Sequence, residues 1–318
     1  MDQLDKKIIC ELELNSRVPV SALAKKVHAH RNVVAYRIER LEQGGAITRY
    51  ICALNLGRLG YKTYKIYFHV NPNPLEEKAF TKRICSSPEV IHALRLEGAF
   101  DFSVALAVKS IMELDHFLSE IKNEFHALIR DYEISTIIFS RVFKLHKLLL
   151  GETKITPKME KYAGEDAIFE LDEKDYKILR VLSQKANLPL IAVAQETGLS
   201  VDIINYRIKQ WQKQNLSTFR LTFNPEKMGY SIYRLLLKIR KALPVEETKL
   251  LTWCSAQKQV LYCTKQIGHY DFELNIAVKG NTELYELLGK LRQEFSGIID
   301  SYGLAMNQEL LKLNYVPF

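Results

Sequence analysis

Side chains suited to contacts with nucleic acid lie together on one face of a predicted helix over residues 31–43. Asparagine can bind adenine through two hydrogen bonds, and arginine can bind guanine or a phosphate. The candidate DNA-contacting residues are Arg31, Asn32, Tyr36, Arg37 and Arg40, with Arg49 on the strand that follows. Arg40 and Arg49 are predicted to contact phosphates, whereas Arg37 has two interpretations: it braces the domain or it contacts the DNA backbone.

The segment recurs 170 positions later in the chain, with Tyr206 and Arg207 at the positions of Tyr36 and Arg37. Its candidate DNA-contacting residues are Asn205, Tyr206, Arg207, Lys209 and Lys213, with Arg220 on the following strand. In this copy Asp202 would lie near the phosphates, where a negative charge is unfavourable, and Trp211 replaces Leu41. We therefore expect the second copy to bind DNA more weakly than the first, or to read a different half-site.

Three helices and a strand position these side chains in each copy. In the first copy, apolar residues recur at helical spacing from Leu4 to Leu12, and Pro19 separates this helix from a shorter one over 21–27. The helix over 31–43 follows, and then a segment of alternating residues that predicts a strand or wing. The order is that of a winged helix-turn-helix, whose third helix presents its N-terminal residues to base edges in the major groove.

The turn before the third helix has different residues in the two copies. In the second copy Gly198 supplies a left-handed residue and Ser200 is a good N-cap, while His28 and His30 take these places in the first. The two histidines form an H-x-H pair with no third ligand nearby. We therefore predict a cap and a phosphate contact there, not a metal site.

Strands and helices alternate in the rest of each copy, in the order βαββαβ, which is typical of a ferredoxin-like domain. The predicted fold class is therefore α+β, with two winged helix-turn-helix domains alternating with two ferredoxin-like βαββαβ domains. The domain bounds are 1–60 and 171–230 for the winged helix-turn-helix domains, 61–150 and 231–318 for the ferredoxin-like domains, and 151–170 for a linker.

Composition restricts the class of protein further. The chain has 318 residues, 47% of them hydrophobic, and a net charge of +8, which excludes a disordered or collagen-like chain. The surplus positive charge lies mainly on the two helical segments, where a phosphate backbone would bind. Five cysteines without a C-x-x-C motif, and neither a membrane-spanning stretch nor a secretory leader, predict a cytoplasmic protein with free thiols.

The segment LDKKIICELELNSRVPVSALAKKVHAHRNVVAYRIERLEQGGAITRYICALN resembles the DNA-binding half of the Lrp/AsnC (feast/famine) transcriptional regulators. The βαββαβ segment with its G-x-[FY]-D loop resembles the assembly and effector domain of that family, which is of the RAM type. The resemblance implies a sequence-specific regulator that binds pseudo-palindromic double-stranded DNA. It also implies a small amino acid as effector, bound near the residues Gly98, Asp101, Gly268, His269 and Asp271.

Members of the family usually carry one such unit and dimerise, whereas this chain carries two. We therefore expect an intramolecular pseudo-dimer whose paired βαββαβ domains set the distance between the two winged helix-turn-helix domains. Whether two chains also form a homodimer is left open. Asp101 and Asp271 have two interpretations: they bond backbone N–H groups within their loops, or they contact a ligand.

Two alternatives to a regulator remain open. The first is an enzyme on the same scaffold, because decarboxylases of a haem precursor resemble this architecture and use a histidine in the region of His92. Here Ala93 and Leu94 follow that histidine in place of the expected Asn-Tyr. The second is an architectural protein that bends DNA without strong sequence preference. Neither catalytic residues nor a cofactor are assigned, because the chain has no paired acids, P-loop or dinucleotide fingerprint.

Overall fold

The computed structural model of this chain describes residues 1–143, 145–151, 158–160, 168–240 and 243–318. Most of the linker predicted over 151–170 lies outside the described residues. Among those that are described, no helix is both long enough and apolar enough to cross a membrane.

The first half of the chain begins with a head of three helices and a strand, and continues with a βαββαβ unit. The head comprises α1 (Gln3–Leu14), α2 (Val20–Lys26), α3 (Arg31–Gln43) and β1 (Ile47–Leu54). The first βαββαβ unit comprises β2 (Lys62–Val70), α4 (Pro74–Ser86), β3 (Val90–Gly98), β4 (Phe102–Val108), α5 (Ile111–Glu124) and β5 (Ile129–Val142). The short elements α6 (Leu145–Leu150) and β6 (Lys158–Glu160) follow.

The second half repeats this order element by element, which confirms the predicted fold class. The second head comprises α7 (Glu173–Gln184), α8 (Leu190–Thr197), α9 (Val201–Lys213) and β7 (Ser217–Phe223). The second βαββαβ unit comprises β8 (Ser231–Ile239), α10 (Pro244–Ala256), β9 (Val260–Ile267), β10 (Phe272–Val278), α11 (Asn281–Phe295) and β11 (Ile299–Leu313).

Local sequence accounts for where the helices of the heads begin. Asp2 accepts the backbone N–H of Asp5 at the start of α1, and Asp172 does the same for Asp175 in α7, so that both helices begin with a capping box. The turn before the third helix is left-handed in both heads, with φ of 54° at His28 and 69° at Gly198. A histidine in that conformation is strained relative to glycine, but it completes the same turn.

The two βαββαβ units pair edge to edge at both sides and close into a ring of eight strands. The ring runs β2-β4-β3-β11-β8-β10-β9-β5, and β5 pairs back with β2. The two seams between the units are the antiparallel pairs β3–β11 and β5–β9. The helices α4 and α5 cover one half of the outer surface through Phe80 and Phe117, and α10 and α11 cover the other half through Leu250 and Leu287.

Each head packs on the βαββαβ unit of the opposite half. In the first head, Ile8 and Leu23 share an apolar cluster with Ile232 and Leu261 of the second unit. In the second head, Trp211 belongs to a cluster that includes Leu56, Ile91 and Ala105 of the first half. The strands β1 and β7, the wings of the two heads, pair antiparallel into a two-stranded ribbon. The two halves therefore cross over each other and share their cores.

A reading surface, a braced helix pair and a central cavity

The exposed faces of α3 and α9 present the residues expected to meet bases and phosphates. Tyr36 and Tyr206 hold equivalent positions in the repeat, and they are 62% and 60% exposed. The other exposed residues of the predicted set on these faces are Arg31, Asn32, Arg40, Lys209 and Lys213, and Asn205 is half-buried. The two third helices thus offer a similar polar and cationic surface.

Arg37 and Arg207 brace the heads internally, which favours the first of the two interpretations of Arg37. The guanidinium of Arg37 donates to the side chains of Asp2 and Asp5, with 2.9 Å from Nη1 to Oδ1 of Asp5. Arg207 binds Asp172 at 2.6 Å and Asp175 at 3.2 Å in the same way. The hydrogen bonds from the backbone of Asp5 and from the Arg37 guanidinium lower the pKa of Asp2 to about 2.

The buried carboxylates Asp5 and Asp175, each 1% exposed, receive their remaining hydrogen bonds from different residues in the two heads. In the first head, Nη2 of Arg40 donates to Asp5 at 2.8 Å, and Arg40 stays about half exposed. In the second head, Nε1 of Trp211 donates to Asp175 at 3.2 Å. The replacement of Leu41 by Trp211 therefore supplies the hydrogen bond that the second head, without an arginine at the position of Arg40, would lack.

Replacing Trp211 with phenylalanine is expected to lower the free energy of unfolding by about 1.5–3 kcal/mol, because the buried Asp175 carboxylate loses a donor. The measurement is urea unfolding followed by circular dichroism. The control is Trp253→Phe, since the Trp253 ring packs edge-on against Phe295 and lies partly exposed. Equal losses for the two variants would show that the indole contributes packing only.

Arg220, a predicted DNA contact, is only 6% exposed, so the structure does not place it on a surface that faces DNA. In the ribbon, Arg220 pairs with Ile51 and Thr222 pairs with Arg49. Side chains alternate between the two faces of a strand, so all four lie on the same face of the ribbon, and all four line a central cavity. Arg49 lies at the rim of the cavity, exposed, with Nη1 at 3.3 Å from the carbonyl oxygen of Leu313. Its role as a phosphate contact stays a prediction.

The central cavity has a volume of about 780 Å³ and lies between the ribbon and the closed ring of strands. Its apolar lining includes Ile51, Ile91, Ile137, Phe143 and Leu261. A cavity of this size is in the range that buries a drug-sized ligand. Residues from both halves of the chain contribute to its wall.

One end of the cavity holds a cluster of buried charges that sequence analysis missed. The carboxylate of Glu273 accepts hydrogen bonds from Lys65 Nζ at 2.8 Å, from the hydroxyl of Tyr67 and from the guanidinium of Arg234. Burial by itself would raise the pKa of Glu273, but the charges of Arg234 and Lys65 and these hydrogen bonds outweigh it and lower that pKa to about 2. Glu273 is therefore an anion between two cations.

His92 lines the cavity close to this cluster. On the ring of strands, Lys65 and His92 both pair with Ala105 of β4, so they lie on either side of its small side chain. Burial first, and then the charges of Arg234 and Lys65, hold the pKa of His92 well below its ordinary value. His92 is therefore a neutral imidazole that can donate or accept a hydrogen bond.

The two G-x-[FY]-D loops lie at the seams of the ring and meet at one end of it. Oδ2 of Asp101 accepts the backbone N–H of Val70 at 2.8 Å, and Oδ2 of Asp271 accepts that of Ile239 at 2.7 Å. These bonds favour the interpretation that the aspartates stabilise their loops. The rings of Phe100 and Tyr270 lie 6.3 Å apart where the loops meet.

The remaining loop residues pack differently. Gly98 lies against the backbone of Leu304 on β11, and Gly268 lies against Ile134 and Ser135 on β5. His269 is exposed and its ring lies 4.6 Å from that of Tyr270. In the turn of the first head, Nδ1 of His30 accepts the backbone N–H of Asn32 at 3.4 Å. Across the described ranges, no group of three His, Cys, Asp or Glu side chains could hold a metal ion.

Comparison with known families gives independent support for the two heads. The family described as the AsnC-type helix-turn-helix domain matches residues 1–42, and the family described as the winged helix-turn-helix DNA-binding domain matches residues 171–214. These ranges end near the C-termini of α3 and α9. The chain is therefore a DNA-binding transcriptional regulator with two winged helix-turn-helix heads.

The chain is similar to curated regulators over one unit at a time. It is 33% identical over 123 residues to the proline dehydrogenase transcriptional activator of Rhodobacter capsulatus, which covers 38% of this chain and 79% of that protein. It is 28% identical over 122 residues to the transcriptional regulator FL11 of Pyrococcus furiosus, which covers 38% and 80%. The chain belongs to the Lrp/AsnC family of transcriptional regulators.

Among solved structures, the siroheme decarboxylase NirDL is similar over the whole length. It matches with a TM-score of 0.65 at 15% identity, and the match covers 99% of this chain and 94% of that one. The crossed arrangement of two heads over two βαββαβ units is therefore a fold found in another protein. At this level of identity the likeness concerns the fold alone.

Proposed function

We propose that both heads bind one DNA duplex, each with its third helix in the major groove, and that the crossed core fixes the distance between them. The observation that carries this proposal is that α3 and α9 expose equivalent faces while their wings pair within one chain. The proposed contacts to bases and phosphates are Arg31, Asn32, Tyr36, Arg40 and Arg49 in the first head and Asn205, Tyr206, Lys209 and Lys213 in the second. Half-sites of a pseudo-palindrome would then lie about 34–36 Å apart, or a multiple of that distance.

The two heads are not expected to contribute equally. Asp202 lies exposed in the first turn of α9, so its charge opposes phosphate binding by the second head. In the first head, the corresponding residue is Asn32. Since a DNA partner is reached in the cytoplasm, the proposal places the chain there.

The experiment measures affinity for a duplex selected by the protein as the salt concentration is raised. Arg31→Ala and Lys209→Ala should each weaken binding and reduce the slope of log K against log salt by about 1, because each removes one phosphate contact. The control is Lys290→Ala, which removes the same charge from the exposed surface of α11. If Lys209→Ala leaves the slope unchanged while Arg31→Ala reduces it, only the first head contacts DNA. If neither changes it, the proposed reading faces are wrong.

A small amino acid acting at the G-x-[FY]-D loops is a further part of the proposal. The residues concerned are Gly98, Asp101, Gly268, His269 and Asp271. The loops meet at the seams between the two units, so a ligand there would act on how the units pair. Calorimetric titration with single amino acids tests this part directly, and no heat of binding from any of them would remove it.

In this proposal the chain acts as a regulator and not as an enzyme. A decarboxylase acting on a siroheme is the second candidate, favoured by the fold shared with NirDL and by the position of His92 in the cavity near Lys65 and Arg234. Incubation with siroheme, followed by mass spectrometry, separates the two. Loss of carboxyl groups that depends on His92 would establish the enzyme, and an unchanged siroheme would leave the regulator.

A further inference from the structure

The central cavity contains polar atoms whose hydrogen-bonding capacity the chain does not use. Within the described residues, Oγ1 of Thr63, Oδ1 of Asn275 and Oε2 of Glu13 are buried and have no hydrogen-bond partner. Thr63 is 1% exposed, and all three residues line the cavity. A buried polar atom left without a partner costs about 1–3 kcal/mol. Three such atoms around one cavity indicate that a molecule with hydrogen-bond donors completes the site.

The charged residues that line the cavity differ between its two ends. At the inner end, Lys65 and Arg234 share the single carboxylate of Glu273, beside the neutral His92. Arg49, Glu226 and Glu309 also line the cavity, and all three are exposed. Glu13 is buried on α1 of the first head, and Arg220 has partners of its own. The excess of positive charge is therefore local to the inner end.

The floor of the inner end has room for a ligand group. Lys65 and His92 are separated by Ala105, so their strands lie about 10 Å apart at two strand spacings. Ala105 also lines the cavity, and its methyl group is shorter than the two side chains on either side of it. A carboxylate or similar anion placed there would face Lys65 and Arg234 and could accept a hydrogen bond from His92.

We propose that the cavity binds an organic acid with an apolar, ring-containing body, an anionic group and at least one N–H or O–H donor. The anionic group lies at the Lys65 and Arg234 end, the donor reaches Oδ1 of Asn275, and the body packs on the apolar wall. This site is separate from the G-x-[FY]-D loops. The ribbon β1–β7 covers the cavity and carries both heads, so a bound ligand would also bias their geometry; that last consequence rests on the proposed function.

Two fluorescent probes that differ by one charge test the site on the full chain. The anion 8-anilinonaphthalene-1-sulfonate has two apolar ring systems and an N–H donor, and N-phenyl-1-naphthylamine is its uncharged counterpart. The expected result is one molecule of the anion bound per chain, with an affinity at least tenfold higher than that of the neutral probe. Equal affinity for both probes would overturn the anionic end, and the lack of stoichiometric binding would overturn the site.

Substitutions of Asn275 and Thr63, whose buried polar atoms have no hydrogen-bond partner, test where the probe binds. Asn275→Leu is expected to weaken binding of the anionic probe two- to twelvefold, because one hydrogen bond to the probe is lost. Thr63→Val keeps the side-chain shape, and it is expected to weaken binding by a smaller factor in the same direction. The matched control is Asn187→Leu, since Oδ1 of Asn187 is also buried without a partner among the described residues but lies in the second head, away from the cavity.

The outcomes of these variants are decisive in either direction. Weaker binding for Asn275→Leu and Thr63→Val, with no change for Asn187→Leu, places the probe in the cavity. Unchanged binding for both cavity variants would show that the probe binds elsewhere and would overturn the proposal. DNA affinity is measured separately on the same proteins, so failure of the reading heads to bind DNA does not affect the result with the probes.

Discussion

Replacing Glu273 with glutamine is expected to lower the free energy of unfolding by about 3–5 kcal/mol. Glu273 is 3% exposed and receives hydrogen bonds from Lys65, Tyr67 and Arg234. The variant leaves two buried cations without a compensating charge, and the amide cannot accept on both of its polar atoms. Urea unfolding at neutral pH measures the loss.

The pH dependence identifies the charge of Glu273 as the cause. The pKa of Glu273 is about 2 in the folded chain and 4.5 for an ordinary glutamate, so its contribution to stability is fully present above about pH 4.5 and is lost as the pH falls towards 2. A shift of this size corresponds to about 3 kcal/mol. The difference in stability between the native chain and Glu273→Gln should therefore shrink over that pH range.

Two other titratable groups near Glu273 are coupled to it, because the Glu273 charge raises the pKa of each of them against the effect of burial. The pKa of His92 is lowered by burial first, so protonation of His92 also makes the chain less stable as the pH falls, whereas the loss from Lys65 begins as the pH falls below 10.5. The difference between the two proteins therefore reports the carboxylate together with its coupling to these two groups. The control is Glu309→Gln, an exposed carboxylate at the rim of the same cavity, which should change stability by no more than about 0.5 kcal/mol. A constant difference from pH 7 to pH 2.5 would contradict the assigned charge.

The heads could be predicted from sequence because local patterns determine them. Apolar residues at helical spacing, Pro19 and the left-handed residue before the third helix are all signals within a few positions of one another. The third helix was predicted over 31–43 and is observed at Arg31–Gln43. The duplication added a second, independent copy of each signal, so that Gly198 clarified the role of His28.

The crossed packing of the heads could not be predicted in the same way. The contact between Ile8 and the apolar cluster around Leu261 joins positions far apart in the chain, and neither residue differs from an ordinary core residue. The alternation in β1 and β7 identified two faces but not which face is covered. For this reason Arg220 was placed towards DNA although it lies inside the molecule.

The charge cluster had a weak signal that comparison of the two copies could have revealed. Lys65 lies in the middle of a strand whose other residues are mostly apolar, and its counterpart in the second copy is Arg234, since YKTYK aligns with YSIYR. Glu273 corresponds to Ser103. A cation kept at both copies of a strand, and a carboxylate that replaces a small residue at a repeated position, suggest roles of their own. That the three charges meet depends on the closure of the ring, which only the structure shows.

Replacing Gly98 with alanine is expected to destabilise the chain by about 3 kcal/mol or more. A Cβ at this position would lie 2.6 Å from the carbonyl oxygen of Leu304, and the φ angle of Gly98 is +122°. Strained backbone of this kind costs about 1–3 kcal/mol, and a steric overlap in a packed region costs about as much again. The carbonyl of Leu304 cannot easily move, because it accepts the backbone N–H of Ala99 at 3.0 Å.

The control for this prediction is Gly297→Ala, since no atom lies within 4 Å of a Cβ built there and its φ is not in the left-handed region. Thermal unfolding of both variants measures the difference, and equal midpoints would contradict the close contact at Gly98.

Because Leu304 belongs to β11 of the second unit and Gly98 ends β3 of the first, the loss reports on the seam between the units. Gly268→Ala would strain the opposite seam, where the Cβ would lie 2.7 Å from the carbonyl oxygen of Ile134. If each substitution also weakens DNA binding while Gly297→Ala does not, closure of the ring is what holds the two heads in the geometry that binds DNA.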